Sequence, residues 1–184
     1  MGMPITIDVP GCEDKAVFDK VFELFRDIDN RFSPYKIDSE LSRFNRGELS
    51  QVQLSGEMKQ VIKACEEAKK ETDGYFSAWY KKEFDPSGYV KGWAIKRVGD
   101  LLKKLGYKTF CISAGGDILA ASDGQKIWSI GIQDPAHPAK ILNKLSIKSG
   151  AVATSGIYER GKHIINPKTG KPAIKFLSLT VVGP

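Results

Sequence analysis

Residues 94–118 read AIKRVGDLLKKLGYKTFCISAGGDI, and a change of period inside that run decides the fold class. Ala94, Val98, Leu101, Leu102 and Leu105 recur every three or four residues, the stripe an amphipathic helix buries. Gly106 ends the pattern, as a residue without a Cβ commonly does after a helix. KTFCIS, beginning at Lys108, is a short run of strand character that Gly115 and Gly116 close.

Upstream, the helical period prevails. Val17, Val21, Leu24, Phe25 and Ile28 predict a helix behind Glu13 and Asp14. A short helical turn capped by Asp38 or Ser39 runs through Phe44. Ser55 opens a further helix with Met58, Val61, Ile62, Cys65 and Ala68 on one face, and TDG stops it. ITIDV at 5–9 and LSQVQL at 49–54 read as short strands. Downstream, IWSIGIQ, NKLSIK, GAVATS, KHIIN and LSLTVVG are short, often alternating runs separated by turn formers. Helices concentrated in the first half and a mixed, largely antiparallel sheet in the second make an α+β protein. With no repeat or linker, 1–184 reads as a single domain, long enough to bury its own core.

Composition narrows the classes. A balance of 41% hydrophobic and 27% charged residues argues against disorder, and no apolar run approaches the roughly 20 residues of a membrane span. The start, MGMPITIDVPG, lacks the pattern of a secretory signal, so the expected location is cytoplasmic. The net charge of +6 comes from lysines scattered along helices, which predicts solvated faces and no nucleic-acid partner. Cys12, Cys65 and Cys111 form no paired framework and read as small hydrophobes.

Four stretches carry more chemistry than folding requires. In FSPYKIDSE, Tyr35 either offers a flat face for an aromatic ligand or is a half-buried turn residue, and Asp38, Ser39 and Glu40 read as caps. FDPSGYVKGWA puts Asp85, Gly88, Lys91 and Gly92 ahead of a helix, either a simple turn or a loop whose amides meet an anion. In SAGGDI, two glycines either admit a ligand or make a tight turn capped by Asp117. In the fourth, Thr154, Ser155 and Gly156 suit phosphate oxygens, and His163 before the NPKTG turn is a structural residue or a base. His137 is read as inert and Trp128 as core.

Taken in order, MGMPITI, FSPYKIDSELSRFN, DGYFS, FDPSGYVKGWA, SAGGDI, AVATSGIYE and HIINPKTGKP resemble the ApbE family, the FAD-dependent protein FMN transferases. The resemblance implies binding of FAD, Mg²⁺-assisted cleavage of its diphosphate, and attachment of FMN to a threonine of a partner flavoprotein with release of AMP. Some members mainly hydrolyse FAD to FMN and AMP, and many are exported. On this sequence it implies FAD contacts from Met1, Tyr35, Tyr75, Phe76, Ser77, Asp85, Lys91 and Ile165, with Tyr35 stacking on the flavin. It implies a main-chain carbonyl at Gly88 for the metal, where a side chain would obstruct the ion, and His163 is the candidate base. The chain departs from the family pattern at Lys96 and Asn166, where members usually carry acids, and it has a short 74–84 segment. In the family, an Ala-Asp-rich stretch following the equivalent of LSLTVVGP supplies the metal's side-chain ligands. Without it, an apolar face or a self-association surface is expected. A non-catalytic FAD-binding module is the alternative reading.

Overall fold

The computed structural model describes residues 2–80, 82–158, 161 and 163–184. In chain order they form β1 (Ile5–Asp8), α1 (Lys15–Phe32), α2 (Glu40–Asn45), α3 (Gly56–Glu71), β2 (Trp79–Tyr80), β3 (Glu83–Phe84), α4 (Ser87–Lys104), β4 (Phe110–Ala114), β5 (Asp117–Ala121), β6 (Trp128–Gln133), β7 (Ile141–Ile147), β8 (Gly150–Gly156) and β9 (Ser178–Gly183). The α+β arrangement is the expected one, with the helices ahead of Gly106. The sheet expected to be mixed and largely antiparallel is antiparallel in every pairing among the described residues.

The chain divides into two compact units, one of Phe18–Ala94 with Asn166–Gly170 and one of Gly2–Val17, Ile95–Ile165 and Lys171–Pro184. The boundaries fall inside α1 and α4.

The first unit is helical. α1 turns Val21, Phe25, Ile28 and Phe32 inward at helical spacing, and α3 does the same with Met58, Val61 and Cys65. Burial pushes the Cys65 thiol up to about 12, so it packs as a hydrophobe at neutral pH. Ser39 caps α2 by accepting from the Ser42 N–H at 3.0 Å. Ser55 caps α3 by accepting from the Met58 N–H at 3.1 Å. Glu40 acts as a bridge and not a cap. It accepts from the Ser55 N–H at 2.6 Å and the Ser55 hydroxyl at 2.8 Å. It also pairs with Arg31 at 3.3 Å, whose Nε lies 3.0 Å from Glu57 without hydrogen-bond geometry.

The second unit holds a five-stranded sheet in the order β1-β4-β5-β8-β9 and a separate β6-β7 ribbon. Phe110, Ile112 and Ala114 alternate inward along β4, and Trp128 and Ile130 do so along β6. Gly115 and Gly116, at φ +52° and +87°, are the two-residue turn of the β4–β5 hairpin. Positive φ at both positions matches the right-handed twist of the strands, which is why a glycine pair stands there. The SAGGDI stretch thus forms a turn, with Asp117 opening β5.

Two expected strands are corrected. LSQVQL forms a 3₁₀ turn at Gln51–Gln53, because the Ser50 N–H and hydroxyl both reach the Gln53 side chain at 2.9 Å. KHIIN makes a single bridge, Ile165 to Pro172, since the proline offers no N–H to continue a ladder. Strands β2, β3 and β5 carry no alternation long enough to be seen in the sequence.

At Gly150, φ is +143° and an added Cβ would lie 2.7 Å from the main-chain oxygen of Gly183. The backbone cannot yield without parting β8 from β9, which pair there. Gly150→Ala is therefore expected to cost about 2–4 kcal/mol, measured as the loss of unfolding free energy in urea. A change under about 0.5 kcal/mol would contradict it.

Candidate functional site

Most of the residues singled out from the sequence lie in the helical unit. Tyr35 sits on the loop joining α1 to α2 and is 94% exposed, so the half-buried alternative is excluded. The loop beneath it is stitched. The Tyr35 N–H donates to the Ser33 hydroxyl at 3.3 Å, and the Ser33 carbonyl accepts from the Ser39 hydroxyl at 2.7 Å. Lys36 is drawn back onto α1 by Asn30 at 2.7 Å and Asp29 at 2.5 Å. A depression of about 410 Å³ follows, lined by Asn30, Lys36, Ile37, Asp38 and Ser39.

The stretch read as a glycine-loosened loop is helical from Ser87, so Gly88, Lys91 and Gly92 lie in α4. The expected set of outward amides is mostly taken. Asp85 accepts from both the N–H and the hydroxyl of Ser87, and Pro86 O accepts from the Tyr89 and Val90 N–H groups at 2.8 and 2.9 Å. The anion at the positive end of α4 is thus the chain's own carboxylate. Gly88 and Lys91 are three residues apart and share a helix face. A Cβ at Gly88 would lie 3.4 Å from the Phe76 ring, an ordinary contact, so the ring packs beside the helix at this position. Lys96 pairs with Asp100 at 2.7 Å.

Phe84 lies opposite Trp79, and Asp85 N–H donates to Ala78 O at 2.7 Å. In an antiparallel ladder, alternate residues turn their polar groups away from the partner strand. Phe84 does so, and Asn45 takes both groups: its amide donates to Phe84 O and its oxygen accepts from Phe84 N–H, each at 2.9 Å.

Tyr75, Phe76 and Ser77 follow the end of α3. The Phe76 N–H donates to the Thr72 hydroxyl at 2.9 Å, and Ser77 Oγ donates to Trp79 O at 3.1 Å. Tyr75 is exposed, with Lys168 Nζ 4.2 Å from its ring centre, and the same ammonium lies 2.7 Å from Asp73. Asn166 keeps the turn that an acid would keep, its Oδ1 accepting from the Lys168 N–H at 2.9 Å.

Hydrogen bonding by Lys168 lowers the Asp73 carboxyl from its ordinary 3.8, and Asp73 raises the Lys168 ammonium above its ordinary 10.5. The contribution of Asp73 is lost as pH falls through its lowered value, and that of Lys168 as pH rises through its raised one. Tyr75 ring chemical shifts should therefore stay flat between about pH 5 and about pH 9 and move outside that window. A titration step near neutrality would refute this.

His163 and Ile165 belong to the other unit. His163 is exposed, and its Nδ1 lies 3.0 Å from Gly161 O. With the proton on Nδ1, Nε2 is left as an acceptor. Thr154 and Ser155, read as a flexible phosphate-binding group, lie in the paired strand β8, where Thr154 Oγ1 meets Thr180 Oγ1 at 2.9 Å. Met1 lies outside the described residues.

The exposed rings of Tyr35 and Tyr75 each have a lysine nearby, Lys36 and Lys168. Mg²⁺ takes about six oxygens. Among the described residues no three His, Cys, Asp or Glu side chains cluster to hold an ion, and the Gly88 carbonyl points along a helix toward the amide four residues on. The described side chains alone therefore do not complete such a shell, which would draw the rest of its oxygens from a diphosphate and water. Among them, no helix is long and apolar enough to cross a membrane. The contacts that sequence reading missed are those of Asp73, Lys168 and Asn45. Asp73 is signalled only as a helix stop and Lys168 only as a turn residue.

An α+β protein with antiparallel sheets and an aromatic, lysine-flanked surface is the class these features define. The ApbE family model matches residues 1–83 and 78–184, and the chain belongs to that family. It is similar to the FAD:protein FMN transferase of Klebsiella pneumoniae (strain 342), 33% identical over 110 residues, 54% of this chain and 34% of that protein. The Haemophilus influenzae FAD:protein FMN transferase is 24% identical over 233 residues, covering 90% of this chain and 67% of its own. The match thus spans about a third of the Klebsiella protein's length. The flavin transferase ApbE from Vibrio cholerae superposes with TM-score 0.82 at 22% identity, covering 99% of this chain and 79% of that one. The ApbE protein of Thermotoga maritima gives 0.83 at 22% identity, covering 98% and 77%. At that identity the likeness is one of fold.

Proposed function

We propose that this chain is an FAD:protein FMN transferase, acting as one domain over 1–184 and moving FMN from FAD to a threonine of a partner flavoprotein in a Mg²⁺-dependent reaction. The observation that carries the reading is Tyr35, 94% exposed on a hydrogen-bonded loop at the position where the family's motif has its flavin-stacking tyrosine. In the proposed reaction the threonine oxygen attacks the phosphorus on the FMN side. The bond to the bridging oxygen breaks, and AMP leaves with it. His163 Nε2 takes the threonine proton, oriented by the Nδ1 contact to Gly161 O. Asp85, already fixed as the cap of α4, accepts from the nucleotide, Lys91 offsets phosphate charge, and Phe76 and Ser77 line the cofactor.

Incubation with FAD, Mg²⁺ and an acceptor protein should give an adduct heavier by one FMN less water, with equimolar AMP. AMP with free FMN and no adduct would identify an FAD diphosphatase. FAD bound with no AMP released would identify a binding module. No FAD binding would end the proposal.

A further inference from the structure

The end of α3 carries an anomaly. Asp73 has φ +50°, left-handed backbone that non-glycine residues seldom adopt, and it is followed by Gly74 at φ +74°. Aspartate is among the few side chains that take this region readily. In the structure its carboxylate meets Lys168, 95 residues along the chain, whose ammonium it holds at 2.7 Å.

Lys168 is fixed from both ends. Its main chain belongs to the Asn166 turn, where the Gly170 N–H donates to Asn166 O at 2.8 Å and the Lys168 N–H donates to Asn166 Oδ1 at 2.9 Å. Its Nζ then lies 4.2 Å over the Tyr75 ring, within cation–π range. Tyr75 is meanwhile held at its main chain, its N–H donating to Thr72 O at 2.9 Å. An exposed tyrosine would otherwise turn freely about its side-chain bonds, and ordering it on binding would cost affinity.

From this geometry we infer that Lys168 is a positioning residue: anchored by Asp73, it pins one face of the Tyr75 ring and leaves the other presented to the flavin nucleotide. The inference rests on the reading of this site as an FAD site. It assigns the Asn166–Gly170 turn a part in arranging the ring, separate from any contact with the nucleotide.

The test is FAD affinity, read by flavin fluorescence, together with melting temperature. Lys168→Ala and Asp73→Gly should each weaken binding by about three- to tenfold, with the double variant no worse than either. Lys168→Arg should restore most of the affinity, since a guanidinium keeps both contacts. Asp73→Gly should change the melting temperature little, because relief of the left-handed backbone offsets the loss of an exposed ion pair. In a Tyr75→Leu background, Lys168→Ala should have no further effect.

A direct electrostatic role predicts otherwise. Removing an acid beside an anionic ligand should then tighten binding, so stronger binding by Asp73→Gly would overturn the inference. An undiminished effect of Lys168→Ala in the Tyr75→Leu background, or variants that bind as the unaltered chain does, would also overturn it while leaving the FAD reading intact. An unaltered chain that binds no FAD would overturn both.

Discussion

Replacing Tyr35 by alanine is expected to weaken FAD binding by about five- to 150-fold, the range set by one aromatic stacking contact of about 1–3 kcal/mol. Thermal stability should be unchanged. The side chain is 94% exposed, so folding gains almost nothing from it. The loop's shape is set instead by the main chain and two serines, through Ser33 and Ser39. Tyr35→Phe keeps the ring and should bind within about threefold of the unaltered chain. Fluorescence titration with FAD beside a thermal melt separates the effects. An unchanged dissociation constant for the alanine variant would place the isoalloxazine elsewhere.

Asn45→Ala should be the most damaging single substitution near the site, costing about 2–4 kcal/mol. The removed amide satisfies both main-chain groups of Phe84, a residue with no exposed surface, and the sheet offers neither group another partner. Two buried polar groups are then left unpaired at the residue preceding Asp85. The damage should extend to the cap on Ser87, so FAD affinity should fall with stability. Asn45→Asp keeps the acceptor and loses the donor, and should fall between. Urea unfolding measures the order. A loss under about 0.5 kcal/mol for the alanine variant would mean that water reaches Phe84.

Most of the fold was legible because periodicity is local. The stripes of α1, α3 and α4 and the alternation of β4 and β6 state which face is buried, whatever packs against it. The elements that escaped notice are the two-residue strands β2 and β3, too short to show a period, and β5, whose DILAA does not alternate in burial. The stretch around Gly88 was read as a loop because glycine and proline punctuate it, but Pro86 precedes the helix where its missing N–H costs nothing.

By itself, the sequence determined the α+β class and the ordered motifs of the ApbE family, because each is written in neighbouring residues. Only the tertiary structure decided that Asn45 completes Phe84 and that Lys168 reaches Asp73 and Tyr75. Asn45 and Phe84 are 39 positions apart, and Lys168 and Asp73 are 95 apart. Hydrogen bonds and ion pairs act over a few ångströms of space, and no local pattern in a chain records which distant residues folding will bring within that reach.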